Sequence, residues 1–385
     1  MTPGSFAIVG AAESTEIGRV PSLSSAGLAF DGAANALADA GLKASDIDGL
    51  TVSYMPVGNV AQQLGIMPKW VDGTGIGGCS WMFHLRSAMA AINAGYCSTV
   101  LIVYGESGRS YATAPNSYDT LGPGSIEQQF DIPYASANLQ ATLFALPLAR
   151  YMREYGLTEE QIAMVPVVQR EWAARNPRAK LREPTTVDEV LASPLVAWPI
   201  RRSMCCLVSD AGGAMIVTSA DRARDFPKPP VYVLGTGSAI GSGPCSPAAV
   251  RNPLQPDFIR LSAQEAFRSS GVSHSDIDHL MIYDAFAHNP IFGLEGLGFT
   301  KVGESAAFIA EGNTRPGGSL PMNTNGGGLA YAHSGSYGML CMLEAVRQMR
   351  GEAAAQVEGA RTSLVHGWGA FWSACATIVL SSDRP

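Results

Sequence analysis

Residues 41–50 read Gly-Leu-Lys-Ala-Ser-Asp-Ile-Asp-Gly-Leu, and residues 271–280 read Gly-Val-Ser-His-Ser-Asp-Ile-Asp-His-Leu. Each stretch follows a helical run (33–40 and 263–270) and precedes an apolar strand (50–54 and 280–283). Upstream, Phe6-Ala-Ile-Val-Gly10 is echoed by Val231-Tyr-Val-Leu-Gly235. A separation of roughly 230 residues is far too long for a solenoid repeat. The reading is two copies of one α/β half in a single chain. Chemistry is then expected where the halves meet, from paired motifs.

The chain has 385 residues, of which 46% are hydrophobic and only 15% charged, a balance that suits a large core extended by a subunit interface. Its 42 glycines cluster beside apolar strands, which marks tight loops rather than disorder. A net charge of −7 argues against nucleic acid as a partner, although Arg201-Arg202 and the stretch 175–182 are local basic spots. No basic-then-apolar leader opens the sequence, and no apolar run approaches the ~20 residues of a membrane span, so a cytoplasmic location is expected. Seven cysteines without an export signal read as thiols, and no Cys-x-x-Cys or His/Cys cluster suggests a metal site.

The pattern along the chain divides it into a first half (1–106 with 201–228), an inserted cap (107–200) and a second half (229–385). The cap is marked by Pro115, Pro123, Pro133 and Pro147 and by helices expected near 137–155 and 158–174. Strands are expected at 6–10, 99–104, 214–218, 231–235 and 375–380. Helices are expected at 80–94, 258–270, 290–298 and 336–350.

Four motifs carry candidate chemistry. In Gly77-Gly78-Cys79-Ser80 the cysteine opens a helix, where the dipole and free N–H groups would lower its pKa; the alternative is a small buried side chain. In 323–338, Asn323 and the glycines to Gly327-Gly328 precede His333, as for an acid/base delivered on a loop; the alternative is an exposed histidine in a glycine turn. Tyr283-Asp284-Ala285-Phe286 follows a strand, where α/β sites gather; the alternative is a tyrosine capping the core, and Asp284 reads first as a cap of the next helix. In 365–369, His366 directly precedes Gly367 and Gly369 in an expected glycine-rich turn. Asp284, Tyr331, Tyr337 and Trp81 are candidates to line the substrate site, and Cys205-Cys206 reads as core.

Taken in order along essentially the whole chain, these motifs resemble the thiolase superfamily: the duplicated halves, Cys79 at a helix start, the Asn-glycine loop before His333, and the C-terminal glycine turn. The Tyr283–Phe286 motif, Asn323-Thr324 and the 346–351 segment look most like the sterol-carrier, lipid-transfer-protein branch, which includes steroid side-chain aldolases. The resemblance implies an acyl-CoA enzyme with coenzyme A thioester as substrate and no bound cofactor. It implies roles for Cys79 as nucleophile and His333 as its activator, with His366 where thiolases carry a second cysteine. The chain departs from the thiolase pattern at Trp81-Met82-Phe83-His84, which replace small residues, and at Tyr283, which stands where thiolases carry a His or Asn donor. In the aldolase branch a tyrosine stands there as a proposed catalytic group.

Three functions follow from the resemblance. The first is retro-aldol cleavage of a 3-hydroxyacyl-CoA through Tyr283 and His333, with Cys79 in the wall. The second is a thiolase-type acyl transfer through Cys79, with His333 and His366 moving protons and Gly77, Gly78, Asn323, Gly327, Gly328, Gly367 and Gly369 shaping the oxyanion loops. The third is a non-catalytic lipid-CoA binder. The resemblance also implies a homodimer, with 99–104 as candidate interface edge, and a separate OB-fold, zinc-ribbon-bearing partner.

Overall fold

The computed structural model describes residues 2–111, 139–241, 257–370 and 372–385, and the expected prolines 115, 123 and 133 of the cap lie outside them. The first half contains β1 (Phe6–Glu13), α1 (Ser25–Ala40), β2 (Gly49–Val52), α2 (Val57–Leu64), β3 (Trp70–Asp72), α3 (Ser80–Asn93) and β4 (Thr99–Ser107). The cap contributes α4 (Leu139–Tyr155), α5 (Glu159–Ala173), α6 (Val187–Ala192), β5 (Leu195–Ala197) and β6 (Ile200–Arg201). Strand β7 (Asp210–Ser219) then returns to the first half. The second half contains β8 (Val231–Ile240), α7 (Asp257–Ser270), β9 (His279–Ile282), α8 (His288–Leu297) and α9 (Ser305–Ala310). It closes with α10 (Gly327–Ala330), α11 (Gly338–Arg350), β10 (Thr362–Gly369) and β11 (Ala374–Ser381).

The repeated Ser-Asp-Ile-Asp sequence makes the same joint twice. Gly41 and Gly271 end their helices with φ of 66° and 74°, the left-handed stop that glycine accommodates without Cβ strain. Asp46 and Asp276 then accept the backbone N–H of Lys43 and Ser273, each at 2.8 Å. The second aspartate of each copy tethers the start of a neighbouring strand. Asp48 takes the N–H groups of Ser98 and Thr99 at 2.8 Å, and Asp278 those of Arg361 and Thr362 at 2.8 and 2.9 Å.

Nine strands form one sheet in the order β3-β2-β4-β7-β1-β8-β11-β10-β9. On each side of the β1/β8 seam the pairing runs antiparallel, antiparallel, then parallel. The seam itself pairs Phe6, Ala7 and Ile8 with Val233, Tyr232 and Val231. A parallel bridge from Leu280 to Met322 stands in the second half where β3 stands in the first. Helix α11 is buried on nearly every face, and α3 on all but the stripe of Arg86, Ala90 and Asn93, as expected of helices packed between layers of protein. Their starts touch, since a Cβ on Gly338 would lie 2.1 Å from the Gly78 carbonyl oxygen.

Three expectations are corrected here. Strand β4, which holds the expected edge 99–104, lies inside the sheet between β2 and β7. Its apolar run reflects cover on both faces, and the free edge of the first half is the short β3. Residues 365–369 form no turn; they belong to β10 and pair with Ala374–Ile378 of β11. Cys205 and Cys206 are half-buried beside Ala285 and Phe286 rather than deep core.

Candidate active site

Three chain segments converge where the halves meet. The residues after β9 bring Tyr283, the loop between α10 and α11 brings His333, and the loop before α3 brings Gly78 and Cys79. Tyr283 Oη and His333 Nε2 lie 2.8 Å apart, with the residues 6% and 8% exposed. The Tyr283 backbone N–H is held by the His366 carbonyl at 2.9 Å. His333 is pinned from both sides of its own peptide: its N–H donates to Ser209 Oγ at 2.8 Å, and its carbonyl accepts from the Ser209 N–H at 3.0 Å. The Gly335 N–H approaches Nδ1 at 3.4 Å, too long to fix the tautomer, so the shared proton can reside on either partner of the pair.

Burial sets the charge state of this pair. It lowers His333 to about 4 and raises Tyr283 well above its ordinary value, so both are neutral at pH 7. Gly78 is the floor under the tyrosine ring. A Cβ there would fall 2.0 Å from Tyr283 Cε1 and 2.7 Å from the Trp368 carbonyl oxygen. Tyr337 packs against both partners, with ring centroids 5.7 Å from Tyr283 and 6.4 Å from His333, and donates to Asn325 Oδ1 at 2.6 Å.

Cys79 departs from expectation. It begins α3, but it is fully buried, and burial with the nearby Cys375 pushes its thiol well above the ordinary cysteine value. Desolvation outweighs the helix N-terminus because no cation faces the sulfur. Among the described residues, its thiol makes one polar contact, a weak 3.7 Å approach to the Ile76 carbonyl, and no histidine is bonded to it.

His366 lies on the wrong face to act with this group. Added Cβ atoms on Gly367 and Gly369 would meet Met82 Sδ at 2.7 Å and Cys79 Sγ at 2.8 Å, so the odd positions of β10 face α3. Alternation along a strand turns His366 and Trp368 to the opposite side. There His366 Nδ1 meets Thr377 Oγ1 at 2.9 Å, and Thr377 in turn meets Ser262 on α7. Burial lowers His366 to about 3, leaving a neutral core histidine.

Other sequence candidates resolve into structural parts. Asp284 caps α10 by accepting the Gly328 N–H at 2.7 Å and the Leu329 N–H at 3.1 Å, and the Gly327 N–H is taken by Asn325 Oδ1 at 2.9 Å, so these glycine amides are already used. Burial still raises Asp284 to about 7. Asn323, at φ 55°, bonds both backbone groups of Ile282 and so continues the edge of β9. Gly77, at φ 76°, lets its loop close against Gly369 and Ala370. Trp81 is core: its indole N–H donates to the Val103 carbonyl at 2.9 Å. Tyr331 donates to Glu13 at 2.5 Å, inside an ion cluster with Arg347 and Arg178. Of the basic spots, Arg178 is thus engaged, and Arg201 pairs with Glu159 at 3.1 Å.

Among the described residues no three His, Cys, Asp or Glu side chains gather as metal ligands, and no helix is long and apolar enough to cross a membrane.

The Thiolase C-terminal domain-like family matches residues 248–382. An acetyl-CoA acetyltransferase of Methanothermobacter thermautotrophicus is 32% identical over 97% of this chain and 99% of its own length. The chain belongs to the thiolase superfamily. It is an enzyme of that superfamily, similar also to a 17-hydroxy-3-oxo-4-pregnene-20-carboxyl-CoA lyase of Mycobacterium tuberculosis, at 32% identity over 95% of this chain and 96% of that one. A solved structure named Ltp2-ChsH2(DUF35) aldolase superposes with a TM-score of 0.90 at 32% identity, covering 100% of this chain and 99% of its own. The superfamily fold places the Tyr283–His333 pair between its two halves.

Proposed function

We propose that this thiolase-superfamily enzyme cleaves the C2–C3 bond of a 3-hydroxyacyl-CoA in a retro-aldol reaction, giving a carbonyl product and a shortened acyl-CoA. The observation that carries this reading is the buried 2.8 Å contact between Tyr283 Oη and His333 Nε2, beside a thiol that has no histidine partner. In the tautomer with Nε2 free, Tyr283 passes its proton to His333 as its oxygen takes the proton of the substrate 3-hydroxyl. The O–H and C2–C3 bonds break, and the C3 carbonyl forms. The electron pair left on C2 is held as the thioester enolate. The N-terminus of α3, reached through Gly77 and Gly78, is the favourable pole for that charge. The same proton returns through Tyr283 to C2. No covalent intermediate and no cofactor are needed.

The described part of the cap lies over this side of the molecule, with Phe144 of α4 packed on Phe286 at 4.7 Å. We assign the cap, residues 107–200, the choice of acyl group, and take a steroid side chain as that group because of the lyase relative. A second reading, acyl transfer through Cys79, draws on the acetyltransferase relative and on Cys79 following the glycine that floors the Tyr283 ring. The deciding experiment supplies 17-hydroxy-3-oxo-4-pregnene-20-carboxyl-CoA in one arm and acetyl-CoA in the other. Release of the steroid ketone with no acetyl adduct by intact mass is expected. An acetyl adduct that requires Cys79, without ketone release, overturns the aldolase reading.

The reading includes a homodimer, a cytoplasmic location and a separate OB-fold, zinc-ribbon partner; the partner is supported by the two-component name of the solved relative. Activity is expected to rise when a protein of that type is added to the assay. The dimer is placed on the free edge at β3, where Met67, Val71 and Tyr96 are exposed apolar side chains. Such edges invite strand pairing, and a lysine there opposes it. Val71→Lys is expected to halve the mass seen by light scattering while leaving the melting temperature within about 3 °C. An unchanged mass would remove β3 from the interface.

A further inference from the structure

Glu106 has no role in the scheme above. It lies near the end of β4, two residues after Tyr104 and so on the same strand face. Its Oε1 is approached weakly by Ser336 Oγ at 3.5 Å, and its buried carboxyl group also lies beside the Tyr104 hydroxyl. Tyr104 Oη bonds Ser334 Oγ. Gly335, at φ 125°, lets the turn between these serines close over the carboxylate, since a Cβ there would lie 2.7 Å from Oε1. Residues 334–336 therefore directly follow His333 and are fastened to β4 by Tyr104 and Glu106.

Among the described residues, three titratable groups feel the charge of Glu106. They are Tyr104 on its own strand, Tyr54 beyond β2, and Tyr283 beyond β9. Burial raises Glu106 to about 7 against the hydrogen bonds from Tyr104 and Ser336 that lower it, and among the described residues no cation shifts it. A buried carboxyl group that faces no cation and is held by neutral, partly weak contacts is a high-cost arrangement for structure alone.

Resting on the aldolase reading, we propose that Glu106 is a positioning residue: it anchors the turn that carries His333 and, by its negative charge, favours the proton's residence on the Tyr283–His333 pair. When His333 takes the substrate proton through Tyr283, an imidazolium forms in a buried site. An ionised Glu106, whose charge reaches Tyr283 with its hydroxyl 2.8 Å from His333 Nε2, stabilises that cation and a neutral one does not. The rate constant of cleavage therefore rises with pH through the ionisation of Glu106, near 7. His333 adds no limb there, because its neutral form persists down to about pH 4.

The test is the full chain with any OB-fold partner, assayed from pH 5.5 to 9 with 17-hydroxy-3-oxo-4-pregnene-20-carboxyl-CoA. Glu106→Gln keeps the shape and the Ser336 contact but cannot ionise. It is expected to lower kcat about 10-fold at pH 8 and less than about 2-fold at pH 5.5, with KM within about 3-fold. Glu106→Asp should restore the limb. Infrared difference spectra between pH 6 and 8 give a readout independent of turnover. Glu106→Gln should remove one carboxylic-acid component, while the one from Asp284 remains. A pH profile for Glu106→Gln that superposes on the parent, or an unchanged infrared band, overturns the proposal. Absence of cleavage by the parent with the infrared component intact would instead fail the aldolase reading.

Discussion

Tyr283→Phe is expected to lower carbon–carbon cleavage by about 10³-fold, whereas Cys79→Ala keeps at least about a third of it, within the range measured for positioned acid–base groups. The phenylalanine ring fills the same space above Gly78 and against Tyr337, so packing is retained. What disappears is the oxygen 2.8 Å from His333 Nε2, and with it the route by which the hydroxyl proton enters and returns. The KM should change little, because the lost group acts on the proton in flight rather than on the bound ester. Cys79 is different in kind. Its thiol is buried, protonated, and bonded only weakly to a backbone carbonyl. Removing it leaves a small cavity that costs about 1–2 kcal/mol of stability and no chemistry. Measured side by side with steroid ketone release, the reverse result, a dead Cys79→Ala and a live Tyr283→Phe, would transfer the reaction to the thiolase mechanism. Equal full activity in both would remove both residues from catalysis.

The duplication was legible in the sequence because the Asp46/Asp48 and Asp276/Asp278 joints are local. Each aspartate bonds backbone groups a few residues away or at the start of an adjacent strand, so the side-chain types had to recur. The Tyr283 and His333 motifs were legible for a related reason, since each lies in a short segment with an unusual glycine or strand-end context. What sequence could not fix was orientation and dielectric. His366 stands just before Gly367 and Gly369, which suggest a turn, yet those glycines let β10 pass Cys79 and Met82, and alternation then turns the histidine away. Cys79 begins a helix as read, but the sign of its shift depends on how completely the second half covers it. Trp81 and Tyr331 look like ligand-facing aromatics, and both spend their polar atoms within the protein. Glu106 carried no motif at all. Its interest comes from contacts with Ser336 and Gly335, some 230 residues away, which no local pattern encodes.

Gly78→Ala is expected to damage turnover severely, and it tests the geometry without touching a polar group. The added carbon would sit 2.0 Å from the edge of the Tyr283 ring and 2.7 Å from the Trp368 carbonyl oxygen. One of these neighbours is backbone in β10, fixed by its pairing with β11, so it cannot yield cheaply. The tyrosine ring must move instead, and it is confined by Tyr337 and tied to His333. Overpacking of this kind costs about 1–3 kcal/mol in stability. A displacement of about 1 Å at the reacting group costs on the order of 10²-fold in rate. The expected result is a folded protein with a modestly lowered melting temperature and a kcat reduced by about two orders of magnitude. Tyr283→Phe in the same chain should then add little further loss, because the oxygen is already out of register and the two changes remove one interaction. If Gly78→Ala instead folds with full activity, the tyrosine ring does not rest on this loop during turnover, and the assignment of Tyr283 to the proton transfer fails with it.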